Sequence, residues 1–160
     1  MIEHQIPSAQ IFQINTSAGG VPKSAVRQSE VGPLGLVDDG HDDTVHHGGI
    51  ERALSLYSLE LIRALQNEGH PIFPGSTGEN ITLVGLDWSL MNVGLRLRLG
   101  DEVEIEITRY VTPCKTIRES FIDQDFNRIS WRTNPGWARA YARVLKTGIV
   151  TVGDSVRPVI

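Results

Sequence analysis

Apolar and polar residues alternate in short runs along this chain, and glycines or prolines separate the runs. The alternation is clearest at residues 95–99 and 103–107, and the Gly100-Asp101 turn between them predicts a β-hairpin. The same period of two predicts further strands at 9–14, 25–31, 34–37, 53–57, 80–84, 141–145 and 149–152. Lys146-Thr147-Gly148, which separates the last two of these, predicts a second hairpin.

One segment has the periodicity of a helix instead. Ser58 can cap a helix that runs to about residue 67, and Gly69 is well placed to end it. The apolar residues that recur on one side of this helix are Leu59, Ile62 and Leu65. Many short strands, glycine turns and one or two helices together predict a mainly β fold that closes, or nearly closes, into a barrel.

The length and charge of the chain narrow the classes of function. We expect one domain over residues 1–160, with no general attraction to nucleic acid or membranes at a net charge of −4. No apolar run approaches the roughly 18 residues of a membrane helix, and the first residues do not resemble a secretion signal. A single cysteine excludes an intrachain disulfide and fits a reducing compartment. These features predict a cytoplasmic protein.

Residues 38–50 form a long polar stretch that contains His47, Gly48 and Gly49 and is soon followed by Arg52. Paired glycines can present successive backbone N–H groups to an anion, and a guanidinium can bind phosphate through two hydrogen bonds. The alternative is a glycine turn with exposed histidines, which these residues by themselves slightly favour.

The same stretch also offers a different chemistry. Its imidazoles and carboxylates are ligand types found in zinc and non-haem iron sites. The candidate ligands are His41, Asp42, Asp43, His46, His47 and Glu51. Their spacing matches no strong metal motif such as H-E-x-x-H, and a solvated loop is the alternative that we favour.

Cys114, the only cysteine, follows Pro113 and has two cations nearby in the sequence, Arg109 and Lys115. Neighbouring cations lower the pKa of a thiol, and the thiolate is the form that binds metals or attacks electrophiles. A lone cysteine is more often a small buried apolar residue. The local sequence alone therefore favours a structural role.

Arg139, Tyr141 and Arg143 share one face of a predicted strand. Two arginines on a face that borders a cleft could bind phosphate. The same residues on an outward face would be solvated, which is the usual arrangement.

Gly78-Glu79-Asn80 alone would indicate no more than a turn with polar capping residues. It is one of a series of short motifs, which in chain order are His47-Gly48-Gly49, Arg52-Ala53, Gly78-Glu79-Asn80, Gly94 to Gly100, Pro113-Cys114, Arg143-Val144-Leu145 and Gly153-Asp154. The order of these motifs resembles the MOSC family, named after the C-terminal domain of molybdenum cofactor sulfurases. The resemblance runs from about residue 21 to residue 154.

This resemblance implies a MOSC-type, barrel-like β fold that binds the molybdenum cofactor, molybdopterin. It implies that Cys114 carries sulfur or ligates molybdenum, while His47 orients the phosphate or donates a proton. The residues implied to bind the cofactor are Gly48, Gly49, Arg52, Gly78, Glu79, Asn80 and Arg143. We expect no pyridoxal phosphate, because the domain that binds it in the large sulfurases has no counterpart here.

Three functions follow as hypotheses. The first is sulfur transfer, or molybdenum-dependent reduction of N-hydroxylated compounds, at Cys114. A reductase would need an electron-donor protein, because the sequence has no flavin, haem or iron–sulfur motif. The second is a non-catalytic carrier of sulfur or cofactor, and the third is a zinc or iron enzyme that uses residues 41–51. None of them calls for a nucleic-acid or membrane partner.

Overall fold

Short strands make up most of the regular structure in the computed structural model, which describes residues 8–17, 19–39 and 49–159. The strands are β1 (Gln10–Thr16), β2 (Ser24–Val26), β3 (Gln28–Gly32), β4 (Gly35–Leu36), β5 (Leu54–Ser58), β6 (Ile81–Val84), β7 (Arg96–Leu99), β8 (Val103–Tyr110), β9 (Ala140–Lys146), β10 (Gly148–Thr151) and β11 (Val156–Pro158). The helix is α1 (Leu59–Asn67), and the 3₁₀ segments are Ile50–Arg52, Trp88–Leu90, Lys115–Ser120, Ile122–Gln124 and Phe126–Ile129.

Eight strands form one mixed sheet in the order β11-β7-β8-β9-β5-β6-β1-β2, and β10-β3-β4 form a second sheet. Backbone hydrogen bonds bring the two ends of the large sheet together: Ile11 N donates to Asp154 O at 2.9 Å, and Gly153 N donates to Ile11 O at 2.8 Å. The contact there is an isolated bridge between Gln10 and Ser155, so the sheet curls without complete closure. The prediction of a mainly β, barrel-like fold is confirmed.

The two predicted hairpins have different outcomes. Strands β7 and β8 pair across the Gly100-Asp101 turn, as predicted. The prediction of the second hairpin is wrong, because β9 pairs with β8 and β5 whereas β10 pairs with β3 in the other sheet. Lys146-Thr147-Gly148 gives the chain a change of direction, but a turn signal alone does not fix which strand is the next partner.

Helix α1 begins and ends where the sequence predicts. The Ser58 hydroxyl accepts a hydrogen bond from Leu61 N at 3.1 Å, which caps the first turn. Gly69 has a φ of 102°, and its N–H donates to Gln66 O at 2.9 Å, which closes the last turn. Across residues 8–17, 19–39 and 49–159, no helix has the length and apolar character needed to cross a bilayer.

Apolar side chains form two cores, one on each side of β5. Leu54 and Leu56 point into the first, between the curled sheet and the second sheet. Tyr57 points the other way, into a smaller core with residues of α1 and of the 3₁₀ segments, including Ile117. The outer face of the sheet at β5 is therefore covered by α1 and by the chain that follows Cys114.

Candidate functional site

Cys114 lies where the chain leaves β8 and enters the 3₁₀ segment Lys115–Ser120. Val111 N donates to Arg139 O at 2.9 Å, so the approach to the cysteine stays paired with the start of β9. The Cys114 thiol is half-buried, and its Sγ lies 2.9 Å from Thr116 Oγ1. The sulfur is thus held at a defined position and is partly accessible to solvent.

Arg139, immediately before β9, is a buried arginine with an incomplete set of hydrogen bonds. Its Nη1 donates to Thr77 O at 2.5 Å, whereas its Nε has no partner among the described residues. Burial lowers the pKa of Arg139, and the nearby ionisable groups of Tyr141, Glu79 and Cys114 partly oppose that shift. A cation short of one partner therefore lies close to the only thiol.

Arg52 places a second cation on this side of the sheet. Its guanidinium carbon lies 5.7 Å from the centroid of the Tyr141 ring, a cation–π distance. The Arg52 N–H donates to Gly49 O at 3.1 Å. The Thr108 hydroxyl donates to Glu51 O at 2.5 Å, which fixes this segment against β8. Arg52 therefore contacts Tyr141, which lies two positions after Arg139 and on the same face of the chain.

Glu79 is fully buried and its carboxylate is satisfied from within the fold. It accepts hydrogen bonds from Gly75 N at 3.0 Å, from the Thr77 hydroxyl at 2.8 Å and from the Thr82 hydroxyl at 3.0 Å. Thr77 thus contacts Glu79 through its side chain and Arg139 through its carbonyl. Glu79 supports the position of Arg139 indirectly, and a direct contact between Glu79 and a cofactor stays a prediction.

Asn80 joins three parts of the chain. Its Oδ1 accepts from Ser55 N at 2.8 Å, and its Nδ2 donates to Asp39 Oδ2 at 2.9 Å. The same carboxylate binds Lys23 Nζ at 2.5 Å and Ser17 N at 3.0 Å. Asn80 therefore holds Asp39, the last described residue before residues 40–48, against β5.

Gly78, between Thr77 and Glu79, occupies a position that strongly favours glycine. Its φ is 78°, and a Cβ there would lie 2.8 Å from Val21 Cγ1. The turn that presents Thr77 O to Arg139 thus depends on this glycine.

Residues 43–157 match the family model of the MOSC domain. The chain belongs to the MOSC domain family. It is 30% identical over 149 residues to a protein named "Reductase" from Gibberella moniliformis, an alignment that covers 86% of this chain and 26% of that protein. It is 29% identical over 119 residues to the uncharacterized protein YflK of Bacillus subtilis, covering 74% of this chain and 52% of that one. The chain therefore spans about a quarter and about half of these relatives.

Solved structures of similar proteins agree in fold. YiiM from Geobacillus stearothermophilus superposes with a TM-score of 0.75 at 24% identity, over 95% of this chain and 75% of that one. YiiM from Escherichia coli gives a TM-score of 0.70 at 23% identity, over 96% and 71% of the two chains. The curled sheet of this MOSC domain is thus shared with distant relatives.

Arg143, predicted to bind the cofactor, has an acidic partner in the MOSC domain. Its Nη2 lies 2.5 Å from Glu106 Oε2, and its Nη1 lies 3.8 Å from Glu51 Oε1. Its cofactor-binding role stays a prediction. Arg139, on the same face of the strand, has an Nε without a partner among the described residues, whereas the guanidinium of Arg143 binds carboxylates. The alternation in the sequence predicted that both residues share a face but did not distinguish them.

Several predicted residues lie outside the described part of the MOSC domain. They are His41, Asp42, Asp43, His46, His47 and Gly48. Glu51, the remaining candidate metal ligand, lies within reach of Arg143. Among the described residues, no group of three or more His, Cys, Asp or Glu side chains is placed to hold a metal ion.

We expect Glu79→Gln to destabilise the MOSC domain by about 1–3 kcal/mol. In the parent protein, buried donors surround the Glu79 carboxylate. The amide of the variant keeps one acceptor oxygen but places an NH₂ group against some of these donors. The free energy of unfolding in urea, measured for both proteins, checks this. Glu102→Gln, at an exposed position in the turn between β7 and β8, is the control for the acid–amide exchange, and equal stability of Glu79→Gln and the parent would contradict the role.

Proposed function

We propose that this MOSC domain binds the molybdenum cofactor at Cys114 and uses it to reduce N-hydroxylated compounds. Membership of the MOSC family and a relative named "Reductase" support this proposal. The observation that carries it is the buried Arg139, whose Nε has no partner among the described residues and whose charge interacts electrostatically with the half-buried thiol of Cys114.

The residues at the site fit such a cofactor. A buried N–H without an acceptor costs roughly 1–3 kcal/mol, a cost that an anionic ligand would remove. A thiolate is a soft ligand of the kind that suits a metal–sulfur centre. The buried carboxylate of Glu79 uses its oxygens within the fold. The site therefore offers one sulfur ligand and cationic donors to an anion.

Each residue has a distinct task in this proposal. Cys114 would ligate the metal, while Arg139 and Arg52 would bind the anionic parts of the cofactor. Asn80 would hold Asp39 in place. The sequence after Asp39 contains His47, the proposed proton donor.

The reaction is a two-electron reduction. When bound, the cofactor supplies a metal centre that can pass electrons to the substrate. The N–O bond of R–NHOH breaks, and two electrons and two protons convert it to R–NH₂ and water. The electrons come from a separate donor protein.

Cofactor content and turnover together test the proposal. Protein purified from a molybdenum-replete host should contain molybdenum and a pterin that fluoresces after oxidation. It should reduce an N-hydroxylated purine with reduced methyl viologen as donor. Pterin and molybdenum without reduction would favour a carrier of cofactor or sulfur. Zinc or iron without pterin would refute the proposal.

We expect Arg52→Lys to weaken retention of the pterin about tenfold, or roughly 1.4 kcal/mol. Lysine keeps the charge but loses the planar group that binds an oxyanion through two hydrogen bonds. Arg132→Lys is the matched control, because Arg132 also lies over an aromatic ring, 5.1 Å from the centroid of Trp131. Dissociation of the pterin after dilution measures the effect, and equal rates in the two variants would contradict this role.

A further inference from the structure

The outer face of β7, β8 and β9 carries charges in cross-strand rows. In the first row, Glu104 Oε1 lies 2.6 Å from Arg98 Nη2 and 3.4 Å from Lys146 Nζ. Arg157 on β11 lies directly opposite Arg98. This row therefore contains three basic residues and one carboxylate.

The second row repeats the arrangement nearer to the site. Glu106 Oε2 lies 2.5 Å from Arg143 Nη2 and 3.9 Å from Arg96 Nε. Arg143 also reaches Glu51, which is adjacent in sequence to Arg52. The second row therefore extends through Glu51 to Arg52, the cation beside Tyr141.

Solvent meets mainly the basic groups of these rows. The side chains of Glu104 and Glu106 are 11% and 16% exposed, and the cations that cover them are 39% to 61% exposed. Hydrogen bonds from Arg98 and Arg143 hold the pKa values of the two glutamates below their usual range, so both stay ionised near neutral pH. We name these basic residues the basic strip: Arg96, Arg98, Arg143, Lys146 and Arg157.

We propose that the basic strip is the docking surface for an acidic electron-donor protein. This proposal rests on the reductase function proposed above, which takes two electrons from outside the chain. Five cations outnumber the three carboxylates beside them, the covered Glu104 and Glu106 and the half-exposed Glu51, on one face of a chain whose net charge is −4. Charge complementarity of this kind steers a partner into the right orientation and accelerates encounter.

The size of the strip favours a small, transient protein contact. Four neighbouring strands span about 15 Å at the usual strand spacing. Encounters between redox proteins bury relatively little surface and depend on charge, which suits a strip of this width. A donor bound here would lie beside Arg52 and the cofactor site.

A charge-altering variant tests the strip. Arg96→Gln, Lys146→Gln and Arg157→Glu combined leave the two short ion pairs of Arg98 and Arg143 intact. The control, Arg27→Glu with Arg63→Glu, makes the same change in net charge at exposed positions outside the strip. Reduction is driven by an acidic flavodoxin, kept reduced by its NADPH-dependent reductase, or by methyl viologen. Flavodoxin binding is followed separately by fluorescence anisotropy.

The strip variant should lose at least tenfold in kcat/KM for flavodoxin at low salt and in flavodoxin binding. Added salt should slow the parent and the control but not this variant. All three proteins should keep viologen-driven rates within about twofold. Failure of viologen to drive reduction in the parent would refute the reductase, and anisotropy alone would then decide the strip. Flavodoxin binding that is equal in all three proteins, or tighter strip-dependent binding of a short RNA, would overturn the proposal.

Discussion

Replacing Cys114 with serine is expected to remove the bound molybdenum while leaving the fold intact. Serine occupies slightly less space than cysteine, and its hydroxyl can keep the hydrogen bond to Thr116 that the thiol makes at 2.9 Å. A hydroxyl is a poor ligand for a soft metal and cannot carry a persulfide. Molybdenum per chain should fall at least tenfold, together with viologen-driven reduction, while the change in stability stays below about 1.5 kcal/mol.

Thr116→Val is the control for this substitution. It removes the hydrogen-bond partner of the sulfur and keeps the thiol, so most of the molybdenum should remain. Metal analysis and thermal melting of both variants distinguish the two roles of the cysteine. A serine variant that retains molybdenum and melts clearly lower would show that Cys114 belongs to the core.

Arg139→Met is expected to have the second large effect, a loss of at least tenfold in pterin retention. Methionine approximates the length of the aliphatic part of arginine but has no N–H group, so the donor beside Cys114 disappears. Glu79 keeps its three hydrogen bonds after the change, which limits the loss of stability. Arg139→Lys keeps the charge but places all its donors on a single nitrogen, so its pterin retention should lie between those of the parent and Arg139→Met.

Arg128→Met removes a partly buried arginine outside the site and is the control. One buried nitrogen of Arg128 also has no partner among the described residues, but Arg128 binds Glu68 and lies 4.0 Å from the centroid of the Trp137 ring. This control should melt at a lower temperature and keep its pterin. Pterin fluorescence and melting temperature are measured for each variant. Full pterin in folded Arg139→Met would remove the main support for the site.

Local signals in the sequence predicted the local elements correctly. The Ser58 cap, the Gly69 terminus and the hairpin at Gly100-Asp101 depend on residues a few positions apart, so their chemistry is visible in the sequence. Which strands pair across long separations depends on burial over the whole chain. That is why the predicted partner of β10 was wrong.

In the candidate site, too, the sequence predicted some features and could not predict others. Alternation placed Arg139 and Arg143 on one face, but only the packing of the chain after Cys114 over that face determines which arginine is buried. The internal role of Glu79 did have a local signal, since Thr77 and Thr82 lie two positions before and three positions after it. The ion pair between Lys23 and Asp39 had none, because nothing in the intervening sequence indicates the contact.

The anchoring of Asp39 has a consequence for how this domain can diversify. Asp39 is held by Asn80 and Lys23, and the segment from Gly49 is held by Thr108, so both attachment points of residues 40–48 are fixed by groups outside that segment. Lengthening a loop between fixed ends costs little, about 0.6 kcal/mol for each doubling. The barrel-like sheet should therefore tolerate insertions between these two anchors.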